Sequence, residues 1–182
     1  MSTRIMLKNV RLSYAHVWEP QAPINGGDPK YSASLIISKA DTATLKMIEE
    51  KITELLKTEG PAKFGGKVPP LGSLKLPLRD GDTERDDEAY RDSMFMNASS
   101  KTRPGIVDQN VEPIIDRDEV YSGVYANVSV ELYIFNVNGN RGVACGLGNI
   151  QKLRDGEALG GGAIKAENEF AVVDDGASDF LA

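Results

Sequence analysis

Seven acids crowd into residues 80–92: Asp80, Asp82, Glu84, Asp86, Asp87, Glu88 and Asp92. The first four stand at alternate positions, as the opening ligands of a calcium loop do. That loop needs glycine at its sixth position for the turn and a bidentate glutamate at its twelfth, and here those positions hold Arg85 and Arg91. Nucleophilic catalysis needs a side chain activated by a positioned base. The chain has one histidine, His16, and one cysteine, Cys145. Cys145 sits between Ala144 and Gly146 in a strand-like run, the place of a small packing residue, and His16 stands beside Trp18 near a turn. The pair supplies no soft-ligand cluster for zinc, and a lone cysteine closes no intramolecular disulfide. Gly146-Leu147-Gly148 begins like a dinucleotide fingerprint, but the third glycine position is Gln151 and the segment reads as the second strand of a hairpin. Gly60 and Gly65 have phosphate-loop spacing, followed by Gly66 where lysine is required.

What remains is a surface. Tyrosines and a tryptophan (Tyr14, Trp18, Tyr31, Tyr121, Tyr125, Tyr133) are interleaved with cations (Lys30, Arg79, Lys101, Arg103, Arg141, Lys152, Arg154). Binding a single-stranded nucleic acid without sequence preference needs this pairing. Cations track the phosphates, and flat rings stack on unpaired bases, each worth about 1–3 kcal/mol. These thirteen residues are the candidate DNA contacts. Each ring could equally cover a neighbouring strand.

The charge distribution fits. The 182 residues carry 21 bases and 27 acids, a net of −6, which taken whole opposes a phosphate partner. Residues 80–92 account for −5, and residues 167–182, with five acids and no base, for another −5. The rest is a mildly basic body. The last segment reads as a flexible acidic tail, residues 161–182, in which Asp174, Asp175, Asp179 and Phe180 are the candidate partner-binding residues.

Positioning these groups requires a scaffold. At 41% apolar and 26% charged the composition is that of an ordinary globular chain, long enough to bury its own core. Residues 3–18 read as a strand ending in an irregular turn at Trp18-Glu19-Pro20. Gln21–Pro29 reads as a loop, and 30–38 as a strand with Tyr31, Ala33, Leu35 and Ile37 on one face. Asp41 caps a helix whose apolar stripe is Leu45, Ile48, Ile52, Leu55 and Leu56, and Gly60-Pro61 is expected to end it. Residues 60–93 hold no regular pattern and read as a long loop. Met94–Ser100 and Ile106-Val107 are short strand candidates. Residues 124–135 alternate cleanly, and Asn138-Gly139 makes the tight turn to a partner strand over 142–153. If 124–135 lies at an edge, a second copy could pair with it, so a homodimer is among the expected partners. One helix among many strands favours a small barrel over a doubly wound sheet.

Residues 95–107 (FMNASSKTRPGIV), Tyr121-Ser122-Gly123 and residues 135–147 (FNVNGNRGVACGL), together with Pro77–Gly81 and Asn149–Gly156, resemble a family of phage-encoded single-stranded DNA-binding proteins, long catalogued as a domain of unknown function. The resemblance covers about residues 3–160. It implies a five-stranded antiparallel OB-fold barrel over residues 1–160. It further implies sequence-independent binding of single-stranded DNA in phage replication, recombination or repair, without catalysis or cofactor. The tail would compete with DNA for the groove and recruit phage or host replication proteins, although Phe180 is followed by Leu181-Ala182 and is not terminal. No run approaches the length of a membrane span, and Met1–Arg4 precedes no apolar signal core, so the expected location is the cytoplasm of a bacterial host cell. Two other readings stay open: a metal-dependent nuclease using the carboxylates of 80–92, and a protein-only assembly module.

Overall fold

The computed structural model describes residues 4–23, 26–159 and 170–173. Its seven strands are β1 (Arg4–Gln21), β2 (Lys30–Ser38), β3 (Leu78–Asp80), β4 (Ser93–Ser100), β5 (Ile106–Val107), β6 (Tyr125–Val137) and β7 (Asn140–Arg154). The helices are α1 (Thr42–Lys63) and the single turn α2 (Gly81–Glu84). The sheet runs in the order β3-β4-β2-β1-β6-β7-β5, and an additional pairing of β4 with β7 closes a barrel of five strands: β1, β2, β4, β7 and β6. Four of the ring's pairings are antiparallel, as the sequence leads one to expect. The closing pair is parallel, through Ala98 opposite Cys145 and Ser99 opposite Gly146, so the barrel is mixed.

β1 does not end at Trp18 but continues until Gln21 faces Lys30. Its irregularity is spread along the strand. Asn9 (φ 55°) and Tyr14 (φ 45°) adopt left-handed backbone beside register shifts after Leu7 and after Ser13. Each bulge bends and twists the strand. β1 can therefore pair with β6 through its first half and with β2 through its second.

The Asp41 carboxylate accepts from the Thr44 N–H and starts α1, whose Ile48, Ile52, Leu55 and Leu56 are buried in the core. The helix passes through Gly60-Pro61, contrary to the stop expected there. Pro61 gives up its N–H and crowds the carbonyl four residues back, a cost borne within the last turn of the helix. Gly60 is needed for space, since a Cβ there would lie 2.6 Å from the Val68 Cγ2. The helix ends at Phe64, whose N–H donates to the Gly60 carbonyl. Gly65 (φ 80°) turns the chain, and the Gly66 N–H donates to the Pro61 carbonyl at 2.6 Å. That six-to-one bond is the Schellman arrangement.

Residues 60–93 are not an open loop. They hold β3, α2 and 3₁₀ turns at Leu71–Ser73 and Glu88–Tyr90. The stretch from 78 to 92 folds as a lobe on the outside of β2 and β4, where Tyr90, Phe95 and Ile36 form a buried cluster of their own. The main core inside the barrel collects Leu7, Leu12, Leu35, Met96, Val128 and Leu132 with the α1 stripe. β6 is flanked by β1 and β7, so it is no edge and the argument for a dimer through it loses its premise. The sheet's edges are the short β3 and β5. The Asn138-Gly139 turn, with φ of 50° and 84°, joins β6 to β7 as expected. Among the described residues no helix is long and apolar enough to cross a membrane.

Candidate nucleic-acid interface

Strand alternation decides which side chains of β2 and β4 face outward. Ala33, Leu35 and Ile37 enter the core, so Ser32, Ser34 and Ile36 face out. Opposite them on β4 stand Ser99, Asn97 and Phe95. The Ile36–Phe95 end of this face lies under the lobe. There Tyr90 stands edge-on to Phe95, with ring centroids 5.1 Å apart at 82°, and donates its hydroxyl to Ser34 Oγ at 2.9 Å. The other end is open. Tyr14, His16, Ser32, Ser34, Asn97 and Arg85 line a shallow cleft of about 320 Å³. The strip continues across the closing pair. Gly146 lies beside Ser99, and a Cβ on it would sit 3.8 Å from the Tyr133 ring. Tyr14 and Tyr133 are 51% and 45% exposed. The result is a band of small polar residues with an accessible ring toward each end.

Cations flank the strip where β4 leaves it. Lys101 Nζ lies 3.2 Å from Asp28 in the β1–β2 loop, and Arg103 stands 5.8 Å from the Trp18 ring. Trp18 is half-buried against the core and donates its indole N–H to the Val120 carbonyl, so it supports Arg103 more than it offers a stacking face. Tyr31, opposite Ser100, also packs on the core. Lys30 begins β2 on the same side. Arg141 stands at the β6–β7 turn.

Four expected contacts fall into a second group. The Tyr125 ring has Arg154 at 4.0 Å and Arg11 at 5.4 Å from its centroid. Arg154 donates to Asn9 Oδ1, while Arg11 donates to the Gly123 and Glu157 carbonyls. Lys152 is paired with Asp155 at 2.7 Å and Glu119 at 2.9 Å and is only 11% exposed. Burial alone would lower its pKa, but hydrogen bonds to Asp155 and Glu119 outweigh burial and raise it. Tyr121 donates to the Gly156 carbonyl at 2.8 Å. These groups fasten residues 155–159 across the barrel. That strap ends with Leu159 packed on the Ile36–Tyr90–Phe95 cluster, beside the open strip.

Four of the seven acids of 80–92 are engaged in building the lobe. Lys39 Nζ lies 2.9 Å from Asp80 and 2.6 Å from Asp82. Those hydrogen bonds push Lys39 up to about 12 and hold both carboxyls below their ordinary value. Asp80 also accepts from the Asp82 N–H and Asp82 from the Asp92 N–H. Glu84 pairs with Arg79, and Asp87 accepts from the Ala89 N–H. Arg79 is thereby spent on Glu84 and on the Phe95 ring, 5.6 Å away. The carboxylates a nuclease would need are committed to lysine and backbone partners. Among the described residues no three His, Cys, Asp or Glu side chains are grouped to hold a metal. Arg85 is not among the expected DNA contacts, because its acidic neighbours mask its charge in the sequence. Its one signal is that it breaks the acid run. Asp174, Asp175, Asp179 and Phe180 lie outside the described residues.

A family model described as Enterobacter phage Enc34, ssDNA-binding protein, matches residues 3–181. "Putative protein p50" of Acyrthosiphon pisum secondary endosymbiont phage 1 is 34% identical over 173 residues, covering 92% of each chain. Among solved structures, the single-stranded DNA-binding protein from bacteriophage Enc34 in complex with ssDNA is similar with a TM-score of 0.77 at 25% identity, over 87% of this chain and 90% of that one. The bacteriophage T7 single-stranded DNA-binding protein gp2.5 shares the fold at 15% identity, with a TM-score of 0.62 over 94% of this chain and 96% of that one.

Proposed function

The chain belongs to the Enterobacter phage Enc34 ssDNA-binding protein family, and from that premise we propose that it binds single-stranded DNA, independent of sequence, along the outer face of β2, β4 and β7. The observation that carries this reading is the open strip itself. Its floor of Ser32, Asn97, Ser99 and Gly146 lets a strand approach closely. Tyr14 and Tyr133 stand exposed at its ends, with Lys101 and Arg103 beside it. Exposed rings stack on any base, and cations on any phosphate. The strand 2–3 face is where OB-folds take oligonucleotides, and β2 and β4 occupy those places here. Tyr121, Tyr125, Lys152 and Arg154, engaged in holding the strap, contribute through the scaffold.

The reading extends to the acidic tail. The strap delivers the chain at Leu159 to the rim of the strip, and residues 167–182 carry five acids and no base. A domain of residues 1–160 followed by a tail that competes with DNA for a cationic face fits this layout. So does recruitment of phage or host replication proteins once DNA displaces the tail, in replication, recombination or repair. The test is fluorescence anisotropy of a labelled oligonucleotide, single-stranded and duplex, at two salt concentrations, against the full chain and one ending at Ala166. Tight, salt-dependent binding that favours the single strand and strengthens on truncation is expected. Absence of binding by both chains would overturn the DNA reading. Equal affinity of the two at low salt would overturn tail competition alone.

A further inference from the structure

We propose that Arg85 and Tyr14 form a single-nucleotide subsite at the lobe end of the strip, with the phosphodiester on the Arg85 guanidinium and its base on the Tyr14 ring. The inference rests on the reading of that face as a DNA site and adds a residue to it that charge patterning argues against. Arg85 sits in the sequence Glu84-Arg85-Asp86-Asp87-Glu88, yet among the described residues none of these carboxylates pairs with it. Glu84 is taken by Arg79 and Asp87 by the backbone of Ala89. The guanidinium is instead held by rings: Phe95 at 5.0 Å, Tyr90 at 5.5 Å and Tyr14 at 5.6 Å. Its Nε is buried without a hydrogen-bond partner.

A guanidinium in that state is held ready for an anion. The rings hold the guanidinium without offering it an anionic partner. Phosphate oxygens accept two guanidinium N–H donors in parallel. Arg85 lines the cleft, so an anion there would meet a guanidinium that no carboxylate already occupies. Of the three rings, Tyr90 and Phe95 are fully buried, whereas Tyr14 is half-exposed and faces the same cleft. Ring and cation are therefore adjacent, one open to a base and the other to its phosphate. Asn97, Ser32 and His16 complete the lining with groups that accept varied base edges. Asp80, Asp82, Glu84 and Asp87, fixed by Lys39, Arg79 and backbone N–H groups, build the lobe that presents Arg85 to the strip.

The two roles separate in a salt titration. Each phosphate neutralised on a single strand contributes about 0.7 to the slope of log K against log salt. With a labelled oligo-dT as probe, Arg85→Gln should lower that slope by about 0.7, and Arg85→Lys should keep it. Tyr14→Ala should weaken binding about five- to hundredfold with the slope unchanged. Arg91→Gln, an exposed cation on the same lobe, should alter neither. Melting curves identify any variant that fails to fold; should Arg85→Gln be one, Tyr14→Ala carries the test, and a folded Tyr14→Ala chain that binds as tightly as wild type overturns the subsite. If Arg85→Gln weakens binding without lowering the slope, or Arg91→Gln lowers it equally, the subsite is overturned while the DNA face stands. A wild-type chain that does not bind overturns both.

Discussion

Replacing Tyr90 tests whether the lobe is held to the barrel by one side chain. Its ring is fully buried in a cluster separate from the main core, and its hydroxyl donates to a buried Ser34. Tyr90→Phe keeps the ring and its edge-on contact with Phe95 and removes one hydrogen bond. A net bond of this kind is worth about 1 kcal/mol, or roughly a fivefold change in an opening equilibrium. Tyr90→Ala removes the ring. A buried aromatic lost to alanine costs about 3–5 kcal/mol in a main core. Here the loss is limited to what docks the lobe, because Ile36, Phe95, Ala89 and Leu159 are the cluster's other members. Native-state hydrogen exchange resolved by segment reads both variants. Tyr90→Ala should release the amides of residues 81–92 while those of α1 and β6 keep their protection, and Tyr90→Phe should accelerate 81–92 about fivefold. If α1 and β6 lose protection by the same factor as 81–92, lobe and barrel unfold as one unit and the reasoning fails.

Two further outcomes follow from titrating groups. Lys39, raised from 10.5 to about 12, holds the lobe fully below 10.5 and loses that hold as pH rises through 12. Asp80 and Asp82, lowered from 3.8, hold it above that value and release it as pH falls. Limited proteolysis within 81–92 should therefore accelerate at both extremes, and Lys39→Met should abolish the alkaline acceleration and reduce the acidic one, whose share from the Asp82 and Asp92 N–H groups remains; an unchanged alkaline acceleration would show another origin. Burial pushes the Cys145 thiol from 9.0 up to about 12. Between those values the unfolded chain loses a proton that the folded chain keeps, so stability falls as pH rises across that window. At neutral pH a thiol reagent should reach Cys145 only through opening of the barrel. Labelling as fast as that of the urea-unfolded chain would contradict its burial.

Much of this arrangement is legible in the sequence because it is local. The cap at Asp41, the α1 stripe, the alternation of 125–135 and the Asn138-Gly139 turn each follow from neighbours a few residues apart. What escapes is decided by distant partners. Gly60-Pro61 looks like a stop until Val68 is seen to occupy the space a side chain would need. The stretch 60–93 looks unstructured because Lys39, Ser34 and Phe95, which organise it, lie outside it. Tyr121, Tyr125, Lys152 and Arg154 have the right composition for a nucleic-acid face, but composition does not show that the strap already engages them. Arg85 escapes for the converse reason: its sequence neighbours look like its ion-pair partners, and Glu84 and Asp87 are bound elsewhere.

The closure of the barrel is brief: two residue pairs, Ala98–Cys145 and Ser99–Gly146, join strands far apart in the sequence. Non-local parallel pairing is slow, because loop-closure entropy is spent before contacts return it. The β6–β7 hairpin and the β1–β2 pair can form early, leaving this join among the last events of folding and the first of opening. The floor of the strip crosses that join at Ser99 and Gly146. A strand of DNA reaching from Tyr14 to Tyr133 would span the join from outside, and by mass action would stabilise the closed form by an amount that grows with the logarithm of free DNA above its dissociation constant. The nucleic acid would then act as the barrel's missing hoop, and the slowest-forming part of the fold would be the part its ligand protects.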